Sequence, residues 1–139
     1  MNNFIFENSS KVYFGEGCVK EYLSNILSAY GDTVMLCYGG GSIKKNGIYD
    51  EVITVLKKEN KAVVEFSGIP SNPTYSKVLE GVKLAKENNA DLILAVGGGS
   101  VMDCCKAISL GAKYDGDIWA DFWARPGVID FEPLPLGII

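Results

Sequence analysis

With 139 residues, 47% of them apolar and 22% charged, the chain has the length and make-up of one globular domain able to bury a core. A net charge of −4 leaves no basic footprint for nucleic acid or an anionic membrane, which excludes both as expected partners. No apolar run approaches the ~20 residues of a bilayer span, and MNNFIFENSSK lacks the basic and apolar regions of a signal peptide, so a cytoplasmic location is expected.

In chain order, KVYFG (11–15) reads as a short strand. GCVKEYLSNILSAY (17–30) follows with Val19, Tyr22, Leu23, Ile26, Leu27 and Tyr30 at helical spacing. TVMLCY (33–38) is a compact β-type run, and after GGGS comes a predicted helix over 46–60, with Asn46 as its candidate cap and Lys57–Lys58 at its negative end. KAVVEFSG (61–68) reads as a strand, PSNPT (70–74) as a turn, and YSKVLEGVKLAKENN (75–89) as a helix with Val78, Leu79, Val82, Leu84 and Ala85 on or beside one face. DLILAVGGG (91–99) and SVMDCCKAISLGA (100–112) make the third interior strand and helix. Residues 113–133 form a long loop bearing Trp119, Phe122 and Trp123, expected to pack against a sheet edge or a second subunit. LPLGII (134–139) starts another strand and stops inside it, so the domain spanning 1–139 is expected to be truncated at its C-terminal end.

Apolar strands without polar alternation, each followed by an amphipathic helix, call for an α/β fold: a parallel sheet covered by helices on both faces. In such sheets ligands sit beyond the carboxyl ends of the strands. Glycine clusters occupy two of those junctions, Gly39–Gly40–Gly41–Ser42 and Gly97–Gly98–Gly99–Ser100. A glycine loop opening a helix exposes backbone N–H groups at the positive end of the helix dipole, a site suited to phosphate; sharp turning alone is the competing reading. Neither loop fits GxGxxG or a Walker A sequence. Asp103 follows Ser100 by three residues, either as the carboxylate of a capping box or facing a ligand at the loop. Asn72, before Pro73, either shapes a turn or offers its amide to a ligand.

The four cysteines, Cys18, Cys37, Cys104 and Cys105, have no metal-binding or redox spacing and read as buried thiols. The chain has no histidine, so imidazole chemistry is beyond it.

SKVYFGEG, MLCYGGGSIKKNGIYDEV, GIPSNPT and above all AVGGGSVMDCCKAI resemble the N-terminal half of the iron-containing (group III) alcohol dehydrogenases, within them the NADPH-dependent butanol dehydrogenase branch. The resemblance implies a Rossmann-like cofactor domain in which Gly97, Gly98, Gly99 and Ser100 grip the dinucleotide pyrophosphate. Asp103 would lie near the nicotinamide and Asn72 near a ribose. Gly39, at the place where NAD-preferring members carry an acidic residue, together with Gly41 and Ser42, would leave room for a 2′-phosphate. NADP(H) is therefore expected over NAD(H). The family's Fe2+ or other divalent metal would be held by a C-terminal helical domain absent here, so these residues alone are expected to be inactive. The implied substrates of the whole protein are a primary alcohol or aldehyde such as butanol and butanal, and the N-terminal strand and aromatic loop are candidate surfaces for a homodimer. A stand-alone nucleotide- or phosphate-binding module and a glycerol dehydrogenase-like enzyme are the alternatives.

Overall fold

The computed structural model describes residues 10–125 and 127–139. Four parallel strands form one sheet: β1 (Thr33–Tyr38), β2 (Ala62–Phe66), β3 (Leu92–Val96) and β4 (Leu136–Ile138), in the order β2-β1-β3-β4. Every residue of β3 is buried, as is every residue of β1 after Thr33, which is why neither strand shows polar alternation.

Pleating divides those side chains between two cores. Val34, Leu36 and Tyr38 of β1 join Leu92, Leu94 and Val96 of β3 beneath α1 (Cys18–Leu27) and α3 (Ile48–Lys58). Met35, Cys37, Ile93 and Ala95 face the opposite layer, α4 (Tyr75–Glu87) and α5 (Gly99–Gly111). This division follows from the strand order. The chain passes from β1 to β2 in one direction, then from β2 across β1 to β3 and on to β4 in the other. Crossovers of one hand that run in opposite directions place their helices on opposite faces.

Local chemistry accounts for the helix limits. Thr74, in extended conformation, caps α4 by accepting from the Lys77 N–H. Asn46 Oδ1 accepts from the Ile48 N–H at 3.1 Å, while Gly47, at φ 83°, is the residue that turns the chain into α3. That left-handed turn also separates α3 from a four-residue helix absent from the sequence reading, α2 (Ser42–Lys45).

Two expectations are corrected. Residues 11–14 form no strand: Val12 and Phe14 are 83% and 98% exposed, and the segment pairs with no strand among the described residues. Leu79 does not join the buried face of α4. Val78, Gly81 and Ala85 do, because α5 lies so close that a Cβ on Gly81 would sit 2.3 Å from Ile108 Cδ1. The long loop carries a π-helical turn at Trp119–Trp123, and Trp123 lines one cavity together with Leu136 of the edge strand β4. Trp119 leans on Tyr75 of α4, Phe122 packs edge-on against Tyr114, and Trp119 and Trp123 stay half exposed.

Candidate cofactor-binding site

β1 and β3 lie side by side at the middle of the sheet, with Tyr38 and Val96 in register at their carboxyl ends. The chain leaves β1 for one edge and leaves β3 for the other. The crevice between these two ends is therefore the topological switch point, the position where open parallel sheets receive ligands. Both glycine loops begin there, one from each strand. Strand order thus unites two motifs that the sequence separates by 58 positions, counting from Gly39 to Gly97.

The glycines divide into two kinds. Gly97 has φ 150°, and a Cβ there would lie 2.9 Å from Val101 Cγ2; its N–H is already spent on the Ile139 carbonyl at 3.0 Å. At Gly39 a Cβ would press on the Ile69 carbonyl oxygen at 3.1 Å, and the Gly39 carbonyl accepts from the Gly68 N–H at 2.9 Å. These two glycines serve the protein's own close packing. Gly40, Gly41, Gly98 and Gly99 would point a Cβ into open space. Their missing side chains answer no internal demand, which is what a surface kept clear for a ligand requires.

Gly39, Gly40, residues 69–71 and residues 98–101 enclose a cavity of about 260 Å³ at this crevice. Helix α5 opens into it. Its first internal bonds are donated by Val101 and Met102 to the Gly98 carbonyl, so the N–H groups of Gly99 and Ser100 have no helical carbonyl before them to bond. Backbone donors and the positive helix end supply the cavity's only lining charge, for no lysine or arginine lines it. The volume falls below the ~300–1,000 Å³ usual for a whole small-molecule site and suits the phosphate portion of a larger ligand.

The structure brings Asn72 to the same place. Its backbone N–H donates to Ser100 Oγ at 3.4 Å, and its φ of 55° marks the turn that folds residues 70–73 over the helix end. Gly41 and Ser42 lie just beyond the lining, where Gly41 caps α2 and Ser42 is its first residue. Asp103 is one turn further along α5 and does not form a capping box. The helix begins at Gly99, so Ser100 lies inside it, and the Asp103 carboxylate pairs with Lys106 Nζ at 3.3 Å. Asp103 lines a neighbouring cavity of about 260 Å³ with Thr74, Tyr75, Trp119 and Trp123. Residues 70–74 separate these two spaces, which lie end to end along α5.

Sequence reading named Gly40 only within its glycine cluster and did not single out Ile69, Pro70, Ser71 or Val101. The signal available for 69–71 was their place after β2, a third strand end; Gly40 lies between the candidates Gly39 and Gly41, and Val101 directly follows Ser100.

Two of the thiols are held protonated. Cys37, Cys104 and Cys105 are buried and unbridged. A hydrogen bond with Cys105 and burial push the Cys37 thiol far above its usual range, and burial raises Cys104 to about 11, so both stay protonated and unreactive.

Residues 9–139 match the family model described as iron-containing alcohol dehydrogenase. The chain belongs to that family. It is 47% identical over its whole length to a probable NADH-dependent butanol dehydrogenase 2 of Bacillus subtilis, of which it covers 35%. It is 40% identical over 85% of its length to the NADPH-dependent aldehyde reductase YqhD of Escherichia coli, covering 30% of that protein. The crystal structure of NADH-dependent butanol dehydrogenase A from Thermotoga maritima superposes with a TM-score of 0.87 at 42% identity, over 99% of this chain and 34% of that one. The chain thus spans about a third of the length of these relatives.

The iron of the family finds no donor set here. The sequence has no histidine, and among the described residues no three histidine, cysteine, aspartate or glutamate side chains gather closely enough to hold a metal. Among those residues, likewise, no helix is long and apolar enough to cross a membrane.

Proposed function

We propose that this chain is the NADP(H)-binding portion of an alcohol dehydrogenase that interconverts a primary alcohol and its aldehyde. The observation that carries the reading is the crevice itself: open glycines from two adjacent strand ends, facing the unpaired N–H groups that begin a 13-residue helix. A pyrophosphate there receives backbone N–H groups of the 98–100 loop, and Ser100 Oγ stands ready as a further donor. The neighbouring cavity, with Asp103 at its rim and aromatic walls, extends in line along α5 and offers room for the nicotinamide end.

NADP(H) is proposed over NAD(H) because the end of β1 presents Gly39, Gly40 and Gly41, with no carboxylate to repel a 2′-phosphate. The names of the relatives divide between the two coenzymes, so the preference rests on this chain's own residues. When bound, NADPH supplies a hydride from its nicotinamide to an aldehyde carbonyl carbon, a proton joins the oxygen, and an alcohol and NADP+ result. The contribution of these residues is to hold and orient the coenzyme. Among the described residues no side-chain cluster could hold a metal ion to polarise the carbonyl, and the chain by itself is expected to bind coenzyme without turnover.

Titrating NADPH and NADH separately into the protein, by calorimetry or nicotinamide fluorescence, tests the proposal. Saturable binding with NADPH the tighter ligand supports it. An equal or stronger grip on NADH removes the preference, and no binding of either removes the cofactor reading.

A further inference from the structure

The two cavities at the start of α5 are divided by one short segment, and that segment ends on a tyrosine. Pro70 and Ser71 line the phosphate crevice, whereas Pro73, Thr74 and Tyr75 line the second cavity. Between them the Asn72 N–H reaches Ser100 Oγ at 3.4 Å, which ties the partition to the beginning of α5. Tyr75 is the first residue of α4, and its phenol is engaged on three sides. The hydroxyl donates to Asp117 Oδ1 at 2.9 Å and accepts from the Trp119 N–H at 3.3 Å. The ring leans on the Trp119 ring, with centroids 5.7 Å apart.

The oxygen that receives Tyr75 also opens the π-helical turn. Asp117 Oδ1 accepts from the N–H groups of Trp119 at 2.9 Å and Ala120 at 3.2 Å. Ile118 is buried beside them, and Asp121 Oδ2 accepts from the Tyr114 hydroxyl at 2.9 Å. A turn tied down at so many points holds its rings where it puts them. It puts Trp119 and Trp123 in the lining of the second cavity, together with Asp103, and leaves both half exposed. The chain's own packing gains little from large aromatic rings kept in that state, whereas a flat ring entering the cavity gains apolar surface and aromatic partners.

We propose that Tyr75 is a positioning residue for the nicotinamide end of the coenzyme: through Asp117 it fixes Trp119 as a wall of the second cavity, and through residues 70–74 it joins that wall to the phosphate crevice. This deepens the coenzyme reading above and rests on it. The phosphate contacts and the ring contacts are thereby held in one register by a segment of six residues, 70–75. Asp117 is the anchor of that register, and Trp119 is the surface it presents.

Dissociation constants for NADPH and for ADP-ribose 2′-phosphate, the same molecule without its nicotinamide ring, separate this role from a merely structural one. They are measured for the unaltered protein, Tyr75→Phe, Asp117→Ala and Asp117→Asn, with thermal melts to confirm folding. Tyr75→Phe keeps the ring and loses the hydroxyl, and is expected to weaken NADPH about fivefold while the ringless analogue changes less than about twofold. Asp117→Ala should do the same, and Asp117→Asn, which keeps an accepting oxygen, should stay near the unaltered protein. The chain's two tryptophans both lie in this turn, so energy transfer from tryptophan to reduced nicotinamide reads the cavity directly. At saturating NADPH it should be present in the unaltered protein and reduced in Tyr75→Phe. Equal shifts for the two ligands, an unmoved NADPH constant in folded Tyr75→Phe, or no energy transfer overturns the proposal and leaves the coenzyme reading standing. If the unaltered protein binds neither ligand and no NADH, the coenzyme reading fails and this proposal fails with it.

Discussion

Replacing Gly98 by alanine separates the two reasons a glycine can occupy a loop. At φ −80° and ψ −171° Gly98 is in extended backbone that any residue adopts, and no atom lies within 4 Å of a Cβ built there. The folded state therefore loses nothing to strain or collision, and the narrower unfolded ensemble of alanine raises stability by up to about 1 kcal/mol. Gly98 also lines the phosphate cavity, so its new methyl occupies space that a close-lying phosphate needs. Lengthening or breaking one charge-assisted backbone contact costs about 1.5–3 kcal/mol, a loss of roughly ten- to 150-fold in coenzyme affinity. Gly97→Ala is the paired control. Its φ of 150° and the 2.9 Å approach to Val101 Cγ2 make it a folding defect, of about 1–3 kcal/mol. Thermal melts with calorimetric NADPH titration should thus show Gly98→Ala stable but weak-binding, and Gly97→Ala already unstable without ligand. A Gly98→Ala protein that binds NADPH as tightly as the unaltered one would refute the claim that this bare backbone is kept for a phosphate.

Asn72→Gly keeps the left-handed turn at φ 55° and removes only the amide, so melting should change little while NADPH weakens if the amide touches the coenzyme; Asn72→Ala should destabilise by about 1–2 kcal/mol through the same φ. Gly81→Val drives side-chain atoms into Ile108 and Phe66 at the α4–α5 contact, and urea unfolding should show a loss of about 1–3 kcal/mol. The tyrosine hydroxyls of Tyr38 and Tyr49 hold Glu65 below its usual pKa, so its stabilising contribution is complete above about pH 4.5 and is lost as pH falls through the lower folded value; Glu65→Gln should flatten the acid side of the stability profile. The same bond to Glu65 pushes Tyr49 up to about 12, so its contribution is present below pH 10 and lost as pH rises toward 12. Tyr22, Tyr75 and Tyr114 are also raised, so ultraviolet titration should show several tyrosines ionising late, and Tyr49→Phe should remove the part of the change near pH 12.

What the linear sequence determined was set by short-range physics. Continuous apolar runs at 33–38 and 91–96 marked interior strands, helical spacing marked the four long helices, and glycine clusters after two strands marked where backbone is left bare. The absence of histidine alone disposed of an imidazole metal site. Tertiary structure decided what depends on distant partners. KVYFG has strand composition, yet among the described residues it pairs with no strand, and Val12 and Phe14 are exposed there. The order β2-β1-β3-β4, which no periodicity encodes, set the two glycine loops side by side and carried Ile69, Pro70 and Ser71 between them. Only the packed chain could tell Gly39 and Gly97, which make room for Ile69 and Val101, from Gly98 and Gly99, which make room for something else. The reason is one of range: periodicity and turn chemistry act over a few residues, whereas a binding crevice is made of strand ends that meet only once the sheet has formed.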